Sequence, residues 1–176
     1  MGHEPSKADE VAFVDKIVEH LQAYQYLDLD RMYAIGYSNG AGMVNILAAR
    51  TQHFRASANC ATQLVVGQEP NQYTQPISIY IVSGTEDPII PYEGGPTDIG
   101  HTYLPVKASA QLWADLFECL DSATVSFIGK DSLFQWTGCQ AGREIRLHRV
   151  EGGRHDLNQN QDPEFYRRIL NFLLAQ

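Results

Sequence analysis

The sequence predicts an α/β fold, a mostly parallel sheet with helices on both faces, in one domain over residues 1–176. Three observations predict it. Short β-branched and aromatic runs alternate with stretches of helical periodicity, the pattern of strands joined by helical crossovers. The run "PISIYIVSG" is apolar without alternation and lies between Pro76 and Gly84, as a strand covered on both faces does. The stretch "RMYAIGYSNGAGMV" turns from strand-formers to helix-formers at a serine with glycines two residues to either side.

Taken in order, "PSKADEVAFVDKIVEHLQAY" reads as a helix. Ser6 and Asp9 resemble a capping box, and Val11, Val14, Ile17, Val18 and Leu21 share one face. "LDLDR" breaks the pattern and "RMYAIGYS" is of strand length. "NGAGMVNILAAR" is helical, with Met43, Ile46 and Leu47 as its apolar positions, and "ASANCA" is a weaker strand. After "PISIYIVSG" comes a long loop rich in Pro and Gly, "TEDPIIPYEGGPTDIGHTYLP", of a kind that is often functional. "VKASAQLWADLFECL" reads as a helix, "TVSFIGKDSLFQWTGCQAG" as a hairpin or irregular strands, and "REIRLHRVEGG" as a strand. "DPEFYRRILNFLLAQ" closes as a helix, with Asp162 as N-cap, Pro163 in the first position, and Phe165, Ile169, Phe172 and Leu173 as its buried face.

The bulk numbers narrow the function classes. A chain of 176 residues is long enough for a sizeable core, with 44% hydrophobic and 19% charged residues. A net charge of −8 argues against a nucleic-acid partner and against anionic membrane surfaces. No apolar run has the length of a membrane span, and "MGHEPSKADE" has no apolar signal core, so these residues by themselves predict a cytoplasmic protein. Cys60, Cys119 and Cys139 include no CxxC pair, so no structural zinc is expected. They are either small buried side chains or, for Cys119 and Cys139, a disulfide formed in an oxidising compartment.

The serine carries the chemistry. A hydroxyl needs a base to become a nucleophile and a rigid support to project from. A sharp strand-to-helix turn supplies the support at a backbone cost of about 1–3 kcal/mol, and its flanking positions are crowded, which Gly36 and Gly40 suit. The helix that follows aims its first amides at a developing oxyanion, with Asn39 as one donor. The competing reading is a polar turn. In this arrangement an acid and then a histidine follow the nucleophile in the chain. Asp87 stands just past the best strand, in "SGTEDPIIP", with Glu86 as its neighbouring rival and a plain turn before Pro88 as the alternative. Of six histidines, His155 in "VEGGRHDLN" follows the last strand, and the alternative there is a solvent-exposed loop residue. His148 lies inside that strand, facing solvent or core. The spacing of His148, Glu151 and His155 matches no familiar ligand set, so no metal and no cofactor is expected. The implied chemistry is acyl transfer: His155 takes the Ser38 proton, Asp87 holds the imidazole, Ser38 attacks an ester, and water releases the acid.

Beyond that pattern the chain resembles α/β-hydrolase esterases of the polyhydroxybutyrate depolymerase-like and feruloyl esterase-like family. The blocks "DEVAFVDKIVEHL", "DLDRMYAIGYSNGAGMV", "SGTEDPIIPYEGG", "YLPVKASAQLWADLFEC" and "CQAGREIRLHRVEGGRH" carry the resemblance in order, from about residue 9 onward. It implies a serine esterase with Ser38, Asp87 and His155 as its triad. It also implies a Cys119–Cys139 disulfide, a secreted or periplasmic setting, and polyester oligomers or hydroxycinnamate esters as substrates. Two departures bear on this. In the histidine loop, Arg154, Asp156 and Leu157 stand where the family has glycine, threonine and tryptophan. Asp156 is therefore expected to act on the His155 proton, and the loss of tryptophan to remove an aromatic wall of the site.

The family also has strands before the first helix, one of which leads to a second oxyanion donor, and this chain has no counterpart. The resemblance thus implies a domain lacking its N-terminal strands, with residues 32–37 left as an exposed edge. Three accounts follow: a piece of a longer protein, a sheet completed by a partner chain such as a homodimer, or a weakly active or non-catalytic hydrolase-like module.

Overall fold

The structure is a computed structural model that describes residues 9–120, 122–159 and 162–176. Helix α1 (Glu10–Leu21) and a short 3-10 turn lead into β1 (Tyr33–Tyr37), followed by α2 (Asn39–Arg50), β2 (Ala56–Cys60) and β3 (Ser78–Gly84). The long loop after β3 folds on itself as a two-stranded ribbon, β4 (Gly95–Pro96) and β5 (Thr102–Tyr103). Helix α3 (Val106–Leu116), strands β6 (Thr124–Ile128), β7 (Asp131–Trp136) and β8 (Ile145–Val150), and helix α4 (Phe165–Leu174) complete the chain.

Six strands form one sheet in the order β1-β2-β3-β8-β7-β6. The pairs from β1 through β8 are parallel, whereas β6–β7 and β7–β8 are antiparallel. The stretch read as a hairpin or irregular strands is therefore a regular hairpin. Strand β3, central and buried at every position, alternates its side chains between two cores. Ile79 and Ile81 pack with Trp113, Phe117, Ile145 and Leu147 on the α3 face. Tyr80 and Val82 pack with Phe165, Ile169 and Phe172 on the α4 face. This period-two division is why the strand reads as continuously apolar. The α4 residues expected to be buried are all buried.

Several local expectations are corrected. Asp9 is itself the N-cap of α1, accepting from the Ala12 amide at 3.0 Å, and Ser6 lies outside the described residues. An aspartate one residue before the helix is a complete cap by itself. Of the proposed apolar face of α1, Val18 is buried, Val11, Val14 and Leu21 are half-buried and Ile17 is exposed. In α2, Val44 and Leu47 are buried, while Met43 and Ile46 are half-buried. Helix α4 starts at Phe165, not Pro163. The Asp162 carboxylate accepts from the Glu164 amide at 3.1 Å, forming a turn ahead of the helix rather than its cap.

Strand β1 occupies one edge of the sheet, with Ile35 52% exposed. Cys119 and Cys139 are joined by a disulfide that ties the end of α3 to the segment entering β8. Among the described residues no helix is long and apolar enough to cross a membrane.

Candidate functional site

Ser38 sits between β1 and α2 with φ 52° and ψ −122°, a conformation L-residues avoid and that the surrounding structure must enforce. Its amide donates to the Cys60 carbonyl at 2.8 Å, its carbonyl accepts from the Ala41 amide at 2.9 Å, and the Thr62 hydroxyl donates to that carbonyl at 2.9 Å. Close packing holds the turn. A Cβ on Gly36 would lie 2.4 Å from the Gly40 carbonyl oxygen, so position 36 must be glycine. Gly40 differs from expectation: a Cβ there would meet nothing within 4 Å. The crowding is one-sided, because Gly36 points its missing side chain at the backbone of residue 40 and not the reverse.

Asp87 follows β3 and is buried. Its two oxygens divide the work: Oδ1 accepts from the amides of Ile89 at 2.8 Å and Ile90 at 3.0 Å, and Oδ2 lies 2.8 Å from His155 Nδ1. The turn role and the histidine-facing role, posed as alternatives, are both filled. Glu86 is exposed, and it is the Glu86 amide that engages the histidine loop, donating to the Gly153 carbonyl at 2.9 Å. The loop comes this close because Gly84 has no side chain, and a Cβ there would lie 2.2 Å from that carbonyl oxygen.

His155 Nε2 lies 2.8 Å from Ser38 Oγ. A carboxylate can only accept, so Nδ1–H donates to Asp87 and Nε2 accepts from the serine hydroxyl. Three elements, the β1–α2 turn, the loop after β3 and the loop after β8, thus bring Ser38, Asp87 and His155 into one hydrogen-bonded chain. The Asn39 amide begins α2, where first-turn amides have no intrahelical acceptor. Ser38, Asn39 and His155 open on a cleft of about 850 Å³, walled by Ile89, Ile90, Ile99 and Tyr103 with Asp98 and His101.

One departure in the histidine loop acts differently from expectation. Asp156 is exposed and accepts from the Asn158 amide at 3.1 Å, so it serves the turn and not the His155 ring. Leu157 is buried in the α4-side core and does not line the cleft, so this position forms no wall of the site. His148 is buried as well. Its Nε2 is 3.1 Å from Asp131 Oδ2, and it and His155 face different partners. Burial lowers the His148 pKa from its ordinary value, against the opposing pull of Asp131. Burial also pushes the Cys60 thiol up to about 12, which leaves it a protonated, inert core group at neutral pH.

Two features had no signal in the sequence reading. A buried polar network braces the elbow: Asn59 Nδ2 donates to Asn45 Oδ1 at 2.6 Å, and Gln63 Nε2 donates to the Pro91 carbonyl at 2.8 Å. Tyr37, next to the serine, donates through its hydroxyl to the His155 carbonyl. A tyrosine in an apolar strand reads as packing, and its polar tip finds a partner only through the tertiary fold.

Comparison with known proteins finds likeness to esterases in sequence and in fold. It is 32% identical over 146 residues to feruloyl esterase C of Emericella nidulans, covering 74% of this chain and 52% of that protein. It is 25% identical over 157 residues to feruloyl esterase B of Piromyces equi, covering 84% of this chain and 29% of that one. The chain therefore spans about half or less of the length of these relatives. No family model matches it. Its fold is shared with a glucuronoyl esterase from Solibacter usitatus, with a TM-score of 0.58 over 98% of this chain and 52% of that structure, at 12% identity. The fold is thus α/β, of the kind found in that esterase.

Proposed function

We propose that the chain carries the catalytic machinery of a serine esterase, with Ser38 as nucleophile, His155 as base and Asp87 as the acid that orients it. One observation carries this reading: the continuous relay from Asp87 Oδ2 to His155 Nδ1 and from His155 Nε2 to Ser38 Oγ, each link 2.8 Å long. His155 takes the hydroxyl proton as Ser38 Oγ attacks the ester carbonyl. The Asn39 amide receives the developing oxyanion, a donor of a kind that contributes about 10² to 10³ in rate. The protonated His155 gives its proton to the leaving alcohol. Water, deprotonated by the same ring, then cleaves the acyl-enzyme to release the acid.

The acyl group is a hydroxycinnamate such as ferulate, ahead of polyester oligomers. The relatives are named for feruloyl esters, and a cleft of about 850 Å³ walled by three isoleucines and a tyrosine has room for a planar aromatic acyl chain. The Cys119–Cys139 disulfide supports maturation in an oxidising, secretory setting.

The test is fluorophosphonate labelling read by intact mass, followed by turnover of methyl ferulate, with Ser38→Ala as control. Stoichiometric labelling at Ser38 and Ser38-dependent release of ferulate are expected. A folded protein that takes no label would favour a non-catalytic module, or one that needs a partner or further chain beside β1. Turnover of hydroxybutyrate oligomers in preference to ferulate would reverse the order of substrates.

A further inference from the structure

The histidine loop is held from two sides. Away from the serine, the loop after β3 holds it through the Glu86 amide, which donates to the Gly153 carbonyl at 2.9 Å, and through Thr85 Oγ1, which accepts from the Gly152 amide at 2.8 Å, while β7 holds it through Asp131 Oδ1, which accepts from the Glu151 amide at 2.9 Å. These bonds stop at Gly153, before the histidine itself. On the serine side stands Tyr37, the last residue of β1, whose hydroxyl donates to the carbonyl of His155. Its ring also meets the imidazole edge-on, with centroids 6.0 Å apart and an interplanar angle of 74°.

Resting on the catalytic reading above, we infer that Tyr37 is a positioning residue. Its hydroxyl pins the His155 backbone to the strand that carries Ser38 and so fixes Nε2 against Oγ. Asp87 fixes one ring nitrogen, and the Tyr37 hydroxyl holds the backbone from which the ring projects, so the imidazole is set from two points. The anchor ends β1 and the nucleophile is the next residue, so a shift of one carries the other. Displacements of about 1 Å between reacting groups can cost about 10² in rate. Burial pushes the Tyr37 hydroxyl up to about 12, so it remains a neutral donor throughout the range in which the enzyme would work.

Tyr37→Phe removes the hydroxyl and keeps the ring. The expected result is a fall of about tenfold or more in the fluorophosphonate labelling rate and in kcat for methyl ferulate, with KM within about twofold. Imidazole NMR supplies a readout independent of activity. The His155 ring signals should shift or broaden in Tyr37→Phe, while those of His148, buried in the core, stay in place. A labelling rate within twofold of the parent overturns the inference, as does a slower rate with unmoved His155 signals. If the parent protein takes no label, the catalytic reading falls, and the His155 signals still decide whether Tyr37 holds the ring. If the variant does not fold, the parent decides: a slowly exchanging Tyr37 hydroxyl proton supports the anchor and its absence overturns it.

Discussion

Two histidines stand seven residues apart around the end of β8, and each meets an aspartate, yet of the two His155 is the one set against a serine hydroxyl. His148 Nε2 lies 3.1 Å from Asp131 and its Nδ1 faces the Tyr80 hydroxyl at 3.5 Å, so both ring nitrogens are turned into the protein. His155 gives Nδ1 to Asp87 and keeps Nε2 for Ser38 at the mouth of the cleft. The His148 side chain is 2% exposed, whereas that of His155 is 20% exposed. A His–Asp pair is therefore not a catalytic sign in itself. A base needs one nitrogen held and the other presented to a nucleophile within reach of substrate.

The largest effects should separate the two pairs by activity. Asp87→Asn is expected to lower kcat by about 10⁴, because the wrong imidazole tautomer then faces the serine. His148→Gln should leave kcat within a few-fold. Steady-state hydrolysis of methyl ferulate by both variants measures the contrast, and equal losses would erase the distinction.

A smaller effect concerns the strand that both pairs depend on. The disulfide enters β8 from the end opposite the histidine loop, and it closes a loop of 20 residues in sequence separation. Chain-entropy reasoning assigns such a link about 3 kcal/mol. Reduction should lower the midpoint of denaturant unfolding without a selective loss of Ser38 labelling in the protein that remains folded.

Next comes Asp131→Asn, which disturbs the partner of His148 and the acceptor of the Glu151 amide. Weakening these part-buried bonds should cost about 1–3 kcal/mol, read by denaturant unfolding. Activity at saturating substrate should fall far less than for Asp87→Asn.

The smallest effect is in pH. Burial lowers the folded-state pKa of His148 below its ordinary 6.5, so the unfolded chain takes up this proton first. Its contribution to stability is full above 6.5 and declines as pH falls toward the lowered value. Thermal midpoints of His148→Gln should depend less steeply on pH below 6.5 than those of the parent. Parallel slopes would show that His148 does not titrate in this way.

The sequence alone determined the α/β class, the strand–turn–helix around Ser38 and the buried face of α4. These follow from local periodicity and from steric rules that act over a few residues. It also singled out Ser38, Asp87 and His155 by their order along the chain, and the fold brings those three within hydrogen-bonding distance. Only the tertiary structure decided that Gly36 and not Gly40 bears the crowding, that Leu157 turns into the core, and that His148 faces the core and not solvent. It alone joined Tyr37 to a carbonyl 118 residues away. The physical reason is common to all of these. Each depends on where a backbone or a polar tip finds its neighbour across the sheet, and a one-dimensional pattern carries the chemical type of a side chain but not the direction in which it meets its partner.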